Sequence, residues 1–318
     1  MLTSYLLKND KRLEAFFSSL DRKKSYLLGF SGGSDSLFLF YVLKSLKINF
    51  TAVHVDHGWR ECSREEAKAL KEFCHREKIS YIGHRLSPEE KGERDLENAA
   101  RKARYAFFYQ LCVQQNFSGV FLAHHANDQA ETLLKRVLEG AHLSNLKGMT
   151  VSSFYQGMQL LRPLLHIPKA RLMSLLHREK ISYISDETNE DERYLRARMR
   201  KKLFPWLEEV FGKNISSPLF ALAEESKELA EYMESQTEPF LSKVTCQQGG
   251  QVLPISKGLI QQPFLAKYVC KKFFGMFGIS VTRHFLQMVY EHLCRRSSVV
   301  LCLRNKSVIV KPDLVMIQ

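Results

Sequence analysis

The chain has 318 residues, of which 45% are hydrophobic, and this suits a globular protein of about two domains. Its 47 Lys and Arg residues exceed its 34 Asp and Glu residues, and the resulting net charge of +13 favours a polyanionic partner such as nucleic acid. No apolar run reaches ~18 residues and the N-terminus lacks a signal-peptide core, so we expect a cytoplasmic protein without a membrane span. The seven cysteines form no C-x-x-C pair, so we expect no disulfide framework, zinc site or iron–sulfur site.

The first half of the chain alternates between predicted strands and predicted helices. Strands are predicted at 25–30, 50–55, 80–84 and 119–123, and helices at 11–20, 34–46, 63–78 and 97–116. This alternation predicts an α/β fold with a doubly wound parallel sheet. Ligands of such sheets bind outside the carboxyl ends of the strands, so we expect the motifs at 31–36, 54–60 and 124–128 to meet in one crevice.

The segment Ser31-Gly32-Gly33-Ser34-Asp35-Ser36 connects the first strand to an apolar helix. Its glycines allow a close approach of the backbone, and the first N–H groups of the helix favour an anion. A carboxylate beside phosphates needs a cation between them, so Asp35 indicates a nucleotide polyphosphate held with Mg²⁺. The alternative is a Ser/Gly turn that only caps a buried helix.

Polar residues also follow the second strand, where His54 and Asp56 belong to the run Val53-His54-Val55-Asp56-His57-Gly58. An acidic residue at this strand end of a nucleotide-binding fold can reach the ribose hydroxyls. We therefore assign His54 and Asp56 to ATP binding. The alternative is a pair of histidines at the edge of the core beside a turn aspartate.

The fourth strand ends in His124-His125-Ala126-Asn127-Asp128. We expect Asp128 to start the next helix, where its charge suits the helix dipole, and to be a second Mg²⁺ ligand beside Asp35. The alternative is that Asp128 only caps the helix, although capping and Mg²⁺ binding are compatible with each other. A zinc site is disfavoured, because adjacent residues of a strand point to opposite faces.

The second half of the chain has a basic run and a basic C-terminal segment. Further helices are predicted at 168–179, 193–202, 216–239, 263–275 and 282–294, with a hairpin of strands at 298–303 and 307–310. The basic run contains Arg193, Arg196, Arg200 and Lys201, which either contact phosphates of RNA or form a solvated face. Residues 241–318 hold 11 basic and 2 acidic residues, which predicts a polyanion-binding module.

We accordingly divide the chain into three parts: a catalytic ATP-binding domain at 1–213, a helical connector at 214–239 and a smaller, basic α+β tRNA-binding domain at 240–318.

The six-residue loop resembles that of the PP-loop ATP pyrophosphatases, and the whole motif series resembles the tRNA(Ile)-lysidine synthetase family. The likeness covers about 25–206 and rests on the following residues: Ser31–Ser36, His54–Arg60, Asn98, Arg101, Arg104-Tyr105, His124-His125, Asp128, Glu131-Thr132, Arg162–Leu165, Asp186–Asn189, Arg196 and Arg200. It implies that ATP adenylates carbon-2 of the wobble cytidine in tRNA(Ile) with a CAU anticodon, and that free L-lysine displaces AMP.

The resemblance also implies roles for individual residues. Asp35 and Asp128 would hold Mg²⁺, and Asp128 or His125 would position or deprotonate the amine of lysine. Arg104 would contact phosphates of ATP or tRNA, as would Arg196 and Arg200.

Three positions depart from the family pattern: Asn127 replaces an Asp, Ala197 an Asn, and Glu139-Gly140 an Arg-Gly pair. A tRNA thiolase, a small-molecule PP-loop ligase and a non-enzymatic RNA-binding protein are the alternative functions. The sequence leaves the oligomeric state open, a homodimer included.

Overall fold

The structure, a computed structural model, describes residues 9–56, 58, 63–87, 96–183, 195–247, 249–303 and 306–318. The chain forms two compact units, Met1–Glu225 and Ser226–Gln318. Their boundary lies within one long helix, Ser216–Leu241. The three-part division made from the sequence stays a prediction.

The first unit alternates strands and helices. Its elements are α1 (Lys11–Ser18), β1 (Tyr26–Gly29), α2 (Ser34–Ser45), β2 (Phe50–Asp56), α3 (Ser63–Arg76), β3 (Ser80–Arg85), α4 (Leu96–Gln115), β4 (Val120–Phe121), α5 (Ala126–Leu138), β5 (Ser152–Tyr155), β6 (Met158–Leu161), α6 (Lys169–Arg178), α7 (Leu195–Arg198), a π-helical turn (Met199–Leu203), α8 (Phe204–Phe211) and the start of α9 (Ser216–Leu241).

Six strands form one sheet in the order β3-β2-β1-β4-β6-β5. All neighbours are parallel except β5 and β6, which form an antiparallel hairpin at one edge. The chain moves outward from β1 to β3 and then returns to the other side of β1 with β4, so the strand order reverses between β1 and β4. Ligands of open α/β sheets bind at such a switch point, and the predicted fold class is confirmed.

The sheet is covered by apolar side chains on both faces. Leu27 and Leu28 of β1 are both fully buried but belong to different core clusters. Successive residues of a strand point to opposite faces, so one cluster packs beneath α2 and the other beneath α4. The helix α2 is buried on most sides, as its continuous apolar run predicts.

The strands β5 and β6 were not predicted from the sequence. Arg162 directly follows β6, and its buried guanidinium holds this hairpin through Nη1, which donates to Thr150 O (3.0 Å) and Ser153 Oγ (2.9 Å). A buried cation that donates to backbone and hydroxyl oxygens is not visible in a hydrophobic pattern. The sheet therefore has six strands, two more than the four expected, and five of the six run parallel.

An ion pair joins the first helix to the segment after β6. His166 Nε2 lies 2.9 and 2.8 Å from the two carboxylate oxygens of Asp10, which also caps α1 by accepting from Leu13 N. Burial opposes the charge of Asp10, but His166 and the Leu13 N–H hold the pKa of this carboxyl below its usual value.

We expect Asp10→Asn to lower the free energy of unfolding by about 1–2 kcal/mol near neutral pH, because Asn keeps the helix cap but loses the charge facing His166. A lowered native pKa stabilises the fold above the ordinary carboxyl pKa, and this stabilisation disappears as pH falls through the native pKa. Urea unfolding of both proteins from neutral pH to about pH 3 checks this. A difference that stays constant over this range would contradict it.

The loop after α5 is fixed by a buried side chain. Gln129 is 1% exposed, and its amide donates to Lys147 O (3.1 Å) and Met149 O (2.9 Å) and accepts from Met149 N (2.7 Å). Gly148 has a φ of +64°, and a Cβ added there would collide with the Gln129 amide.

Gly148→Ala is expected to cost more stability than Gly140→Ala. Gly140 has nearly the same φ, +66°, but its added Cβ meets nothing described within 4 Å, so this variant measures the backbone strain alone, about 1–2 kcal/mol. Gly148→Ala adds the displacement of Gln129, about 1–3 kcal/mol. Urea unfolding of both variants tests this, and equal losses would contradict it.

The second unit holds the rest of α9 and an antiparallel sheet. Its further elements are β7 (Thr245–Gln247), β8 (Gly250–Pro254), α10 (Lys257–Ile260), α11 (Pro263–Met276), α12 (Arg283–Arg295), β9 (Val299–Leu303), β10 (Lys306–Lys311) and β11 (Leu314–Ile317). The strand order is β7-β8-β11-β10-β9, and the predicted hairpin is the pair β9 and β10. Phe273 and Phe274 of α11 pack with Val308 and Val310 in its core. The predicted α+β class of this unit is confirmed.

Within the described residues, no helix combines the length and apolar character needed to cross a membrane.

Candidate active site

The loop after β1 has the geometry of an anion cradle. Gly32 adopts a φ of +80°, and α2 begins at Ser34 with Gly33 as its N-cap. The hydroxyls of Ser31 and Ser36 lie 3.2 Å apart, and Ser36 Oγ also donates to Gly33 O (3.0 Å), so the loop is held from within. No described side chain caps the start of α2, which leaves its first N–H groups available to a phosphate.

Asp35, in the first turn of α2, faces the side chains of Lys169 and His125. Its Oδ2 accepts from Lys169 Nζ (3.2 Å) and lies 3.6 Å from His125 Nε2. Burial would raise the pKa of Asp35, but His125 and Lys169 lower it to about 2. The carboxylate is therefore ionised and keeps 26% of its side-chain surface exposed beside the phosphate loop.

The end of β4 brings His125 and Asp128 to the same place. His125 is the N-cap of α5: its Nδ1 accepts from Asp128 N (3.3 Å), while His125 N donates to Asp128 Oδ2 (3.0 Å). The expectation that Asp128 starts the helix was therefore wrong, because His125 takes the cap and Asp128 completes a capping box three residues later. Since Nδ1 accepts, Nε2 carries the proton and points toward Asp35 and Asp128.

Asp128 and Glu131 of α5 and Arg200 form a buried cluster of charged side chains, which we call the clamp. Arg200, from the π-helical turn, donates from Nη2 to Asp128 Oδ1 (2.8 Å) and from Nη2 to Glu131 Oε2 (3.0 Å), and its Nε donates to Glu131 Oε1. Asp128 and Glu131 are 6% and 4% exposed, so one guanidinium serves two buried carboxylates. The clamp carries a net negative charge.

The pKa values of the two acids of the clamp, Asp128 and Glu131, shift in opposite directions. Burial disfavours their charged forms, but His125, His124 and Arg200 together lower the pKa of Asp128. Burial and the charge of Asp128 raise the pKa of Glu131 in spite of Arg200. Burial also opposes the charge of Arg200, yet Glu131 and Asp128 raise its pKa. Glu131 is thus the carboxylate of the pair that takes up a proton more readily.

Asn127 positions Lys169. Its Oδ1 accepts from Lys169 N (3.0 Å) at the start of α6, and its Nδ2 donates to Ser216 Oγ (3.4 Å). An aspartate could accept from Lys169 but could not donate to Ser216. The Ser216 hydroxyl could donate to an aspartate, so these two contacts do not require an amide at 127. The departure leaves Asp35 and Asp128 as the carboxylates beside His125.

The residues predicted after β2 lie at the neighbouring strand end. His54 Nδ1 donates to Phe30 O (3.0 Å), which follows β1. Asp56 is buried and accepts from Gly58 N (2.7 Å) and Ser63 Oγ (3.2 Å), so its carboxylate joins the end of β2 to the start of α3. Their contacts with ATP stay predictions.

Positive charge gathers around Tyr105 on α4. The guanidinium carbons of Arg101 and Arg104 lie 5.2 and 5.7 Å from the centre of its ring. Burial lowers the pKa of Arg162, Tyr105 raises it, and the positive charge of Arg101 lowers it further. Arg101, which is exposed, and the partly exposed Arg104 therefore present positive charge suited to an anion, and the buried Arg162 adds to this charge from beneath.

His124 borders this positive region. Burial, reinforced by Arg162 and Arg104 and opposed by Asp128, lowers the pKa of His124 to about 3. Its Nδ1 is buried and has no hydrogen-bond partner among the described residues. His124 is therefore a neutral imidazole at physiological pH.

The predicted tRNA-binding residues have different surroundings. Arg193 lies outside the described residues, as do the motif residues 57, 59–60 and 186–189. Arg196 Nη2 lies 3.5 Å from Thr132 Oγ1, Arg200 is half-buried in the clamp, and Lys201 is exposed. Of the predicted set, Lys201 has the surface position expected for an RNA contact, whereas Arg200 points into the site.

The donor set suits Mg²⁺, which prefers carboxylate and phosphate oxygens and retains several waters. Asp35 is the more accessible of the two predicted ligands, since 26% of its side-chain surface is exposed against 9% for Asp128. The residues present therefore fit a magnesium ion bound chiefly through Asp35 and substrate phosphates.

The PP-loop domain family matches residues 6–207 of the chain. A tRNA(Ile)-lysidine synthase of Chlamydia pneumoniae is 60% identical over 317 residues, which cover 100% of this chain and 99% of that protein. The tRNA(Ile)-lysidine synthase of Chlamydia felis is 59% identical and is matched over 100% of both chains. The chain belongs to the tRNA(Ile)-lysidine synthase family. The resemblance inferred from the motifs is confirmed.

A solved structure outside the lysidine synthase family has a similar fold. It is a U34-tRNA thiolase from Methanococcus maripaludis, with a TM-score of 0.54, 16% sequence identity, and coverage of 70% of this chain and 78% of that chain. At this identity the likeness concerns the fold alone.

Sequence reasoning gave no role to two residues at the centre of this lysidine synthase site. Glu131 was visible within a motif, and its spacing of three from Asp128 on one helix was the available signal. Lys169 offered none, since it reaches Asp35 from a segment 134 residues away.

Proposed function

We propose that this protein ligates free L-lysine to carbon-2 of the wobble cytidine of tRNA(Ile) with a CAU anticodon, using ATP. The observation that carries the proposal is the meeting of two features at the switch point of the sheet. A phosphate cradle with Asp35 lies beside the buried Asp128–Arg200–Glu131 clamp, in a chain 60% identical to a relative named for this activity.

The reaction divides into two balanced steps. In the first, the C2 oxygen of cytidine bonds to the α-phosphorus of ATP, the bond from that phosphorus to the β-phosphate oxygen breaks, and pyrophosphate leaves. In the second, a neutral amine of lysine bonds to C2, the C2–O bond breaks, AMP leaves and the amine loses a proton. The carbonyl oxygen of a base is a poor leaving group, and adenylation overcomes this.

The phosphate loop and Asp35 serve the first step. The N–H groups at the start of α2 bind the phosphates and stabilise the charge that develops on pyrophosphate. Bound Mg²⁺ would neutralise phosphate charge and would be held by Asp35, with Asp128 beside it. Lys169 keeps Asp35 oriented toward the cradle.

The clamp serves the second step. Its two carboxylates attract the ammonium group of lysine. Burial and the charge of Asp128 raise the pKa of Glu131, so Glu131 is the base suited to accept the proton once one of its oxygens leaves Arg200. His125 carries its proton on Nε2 and therefore orients Asp35 and Asp128 instead of acting as the base.

Positive charge outside the clamp serves the RNA. Arg101 and Arg104 offer positive charge to phosphates near His124, and we propose that residues 240–318, with their excess of basic residues, add to tRNA affinity. The cytoplasm is the proposed compartment, which agrees with the free thiols of the described cysteines. A homodimer stays a prediction.

A single assay tests this function. Purified full-length protein is incubated with ATP, Mg²⁺, radiolabelled lysine and an unmodified tRNA(Ile) transcript with a CAU anticodon. Label in the tRNA at the wobble cytidine, with release of AMP and pyrophosphate, is the expected result. Failure to incorporate lysine, together with AMP release in the presence of a sulfur donor, would favour a thiolase. Burial argues against that outcome, because it raises the pKa of Cys74 to about 12 and of Cys112 to about 11.

A further inference from the structure

The helix after the clamp has an inner and an outer face. Phe204 is 8% exposed and packs with Met199 and Ala130, so α8 is anchored to the helix that carries Asp128 and Glu131. Phe204 follows Arg200 by four residues, and the two side chains share the inner face.

The outer face of α8 is apolar and exposed. Trp206, Val210 and Phe211 are 57%, 59% and 60% exposed. Lys202 precedes Trp206 by four residues and is exposed, as are Lys201 and Arg198 before it. We define the Trp206 face as Lys202, Trp206, Val210 and Phe211. Exposed apolar surface bordered by charge marks an interaction site, since burying it in a complementary partner is favourable.

We propose that the Trp206 face binds an unpaired base of the substrate RNA's anticodon loop, stacked on the indole of Trp206, with adjoining phosphates beside Lys201 and Lys202. The proposal rests on the proposed function. A nucleotide offers an apolar ring and an anionic phosphate within one unit, which matches an indole beside lysines.

The position of the face also favours the anticodon loop. Arg200 and Trp206 lie less than two helical turns apart on one continuous helical segment. An RNA whose wobble base reaches the clamp therefore brings its neighbouring nucleotides close to α8. Of the two acidic residues of α8, Glu208 is held at the helix end, where its Oε1 accepts from Asn214 Nδ2 (2.7 Å) and Ile215 N (3.2 Å), whereas Glu209 is exposed.

Three substitutions test the stacking contact. Trp206→Ala and Trp206→Leu are expected to raise the Kd and KM for tRNA by roughly 5- to 150-fold, the range that corresponds to one stacked base. Trp206→Phe keeps an aromatic ring and is expected to stay within about threefold of the wild type. The Kd for ATP, the KM for lysine and the thermal midpoint stay unchanged. Phe154→Ala, which removes an aromatic ring 73% exposed on the edge strand β5, is the matched control.

Two results would overturn the proposal. One is an unchanged Kd for tRNA in folded Trp206→Ala. The other is a wild-type dimer, measured by light scattering, that becomes monomeric in Trp206→Ala without a change in tRNA binding, which would assign the face to a second copy of the chain. Direct tRNA binding separates this proposal from the proposed function, because a wild-type protein that binds tRNA but incorporates no lysine contradicts the function alone.

Discussion

Replacing Asp35 by Asn is expected to lower the rate of lysidine formation by about 100- to 1000-fold, which is the usual effect of removing one group that stabilises transition-state charge. The carboxylate lies beside the phosphate cradle and keeps part of its surface exposed. An amide of the same shape cannot neutralise a cation held between it and the phosphates. Steady-state kinetics with saturating tRNA and lysine measures the loss.

Binding of tRNA should survive in this variant, because Asp35 contributes no basic surface. The exposed carboxylate of Asp21 provides a matched control, and Asp21→Asn should keep the wild-type rate. The pKa of Asp35 is about 2, so the carboxylate stays ionised at assay pH and the loss should be the same from about pH 6 to pH 8. Near-normal turnover by the folded Asp35→Asn protein would refute the assigned role.

The catalytic fold was predictable because its signals are local. Each parallel strand is a short apolar run, and the apolar residues of each helix recur at helical spacing. Glycines or polar residues lie between these segments. The position of the site followed from topology, since strand ends of a parallel sheet share one edge. Ser31–Ser36, His125 and Asp128 were found in this way.

The remaining features depend on contacts between distant segments. Lys169 meets Asp35 across 134 residues, and His166 meets Asp10 across 156. The hairpin of β5 and β6 is held by the buried Arg162, which a binary pattern assigns to the surface. His125 replaced Asp128 as helix cap because an imidazole nitrogen can accept from a backbone N–H, a role not usual for histidine.

The basic run 193–202 shows most clearly that a pattern of charged residues does not predict which of them are buried. Its arginines and lysines look alike in the sequence, yet the chain passes through a π-helical turn at Met199–Leu203 that directs Arg200 to buried carboxylates while Lys201 and Lys202 remain exposed. Sequence alone cannot tell a buried cation from a solvated one when neighbouring residues carry the same charge.

Arg200→Met should have the second large effect, a loss of about 3–5 kcal/mol in the free energy of unfolding, because it leaves Asp128 and Glu131 buried without their cation. Lys201→Met is the matched control. It removes the same charge one residue later from an exposed position, and its stability should stay within about 0.5 kcal/mol of the wild type. Arg200→Lys keeps the charge but not the fork that serves two carboxylates, so an intermediate loss is expected.

The pH dependence of this loss identifies its cause. Removing Arg200 raises the pKa of Glu131 further above its ordinary value, and an acid whose native pKa is raised destabilises the fold most at high pH. The deficit of Arg200→Met should therefore shrink as pH falls and Glu131 takes up a proton. Adding Glu131→Gln should recover part of the lost stability, and a double-mutant cycle from urea unfolding gives the coupling.

Kinetics then separate two roles for Arg200. An arginine that contacts RNA phosphates would raise the KM for tRNA when replaced, would lower the salt dependence of tRNA binding and would behave like Lys201. An arginine that holds Asp128 and Glu131 in place would lower kcat and alter the pH profile while tRNA binding persists. We expect the second pattern, because Nε and Nη2 of its guanidinium are already engaged by buried carboxylates. The first pattern, with unchanged stability, would return Arg200 to the RNA-binding surface.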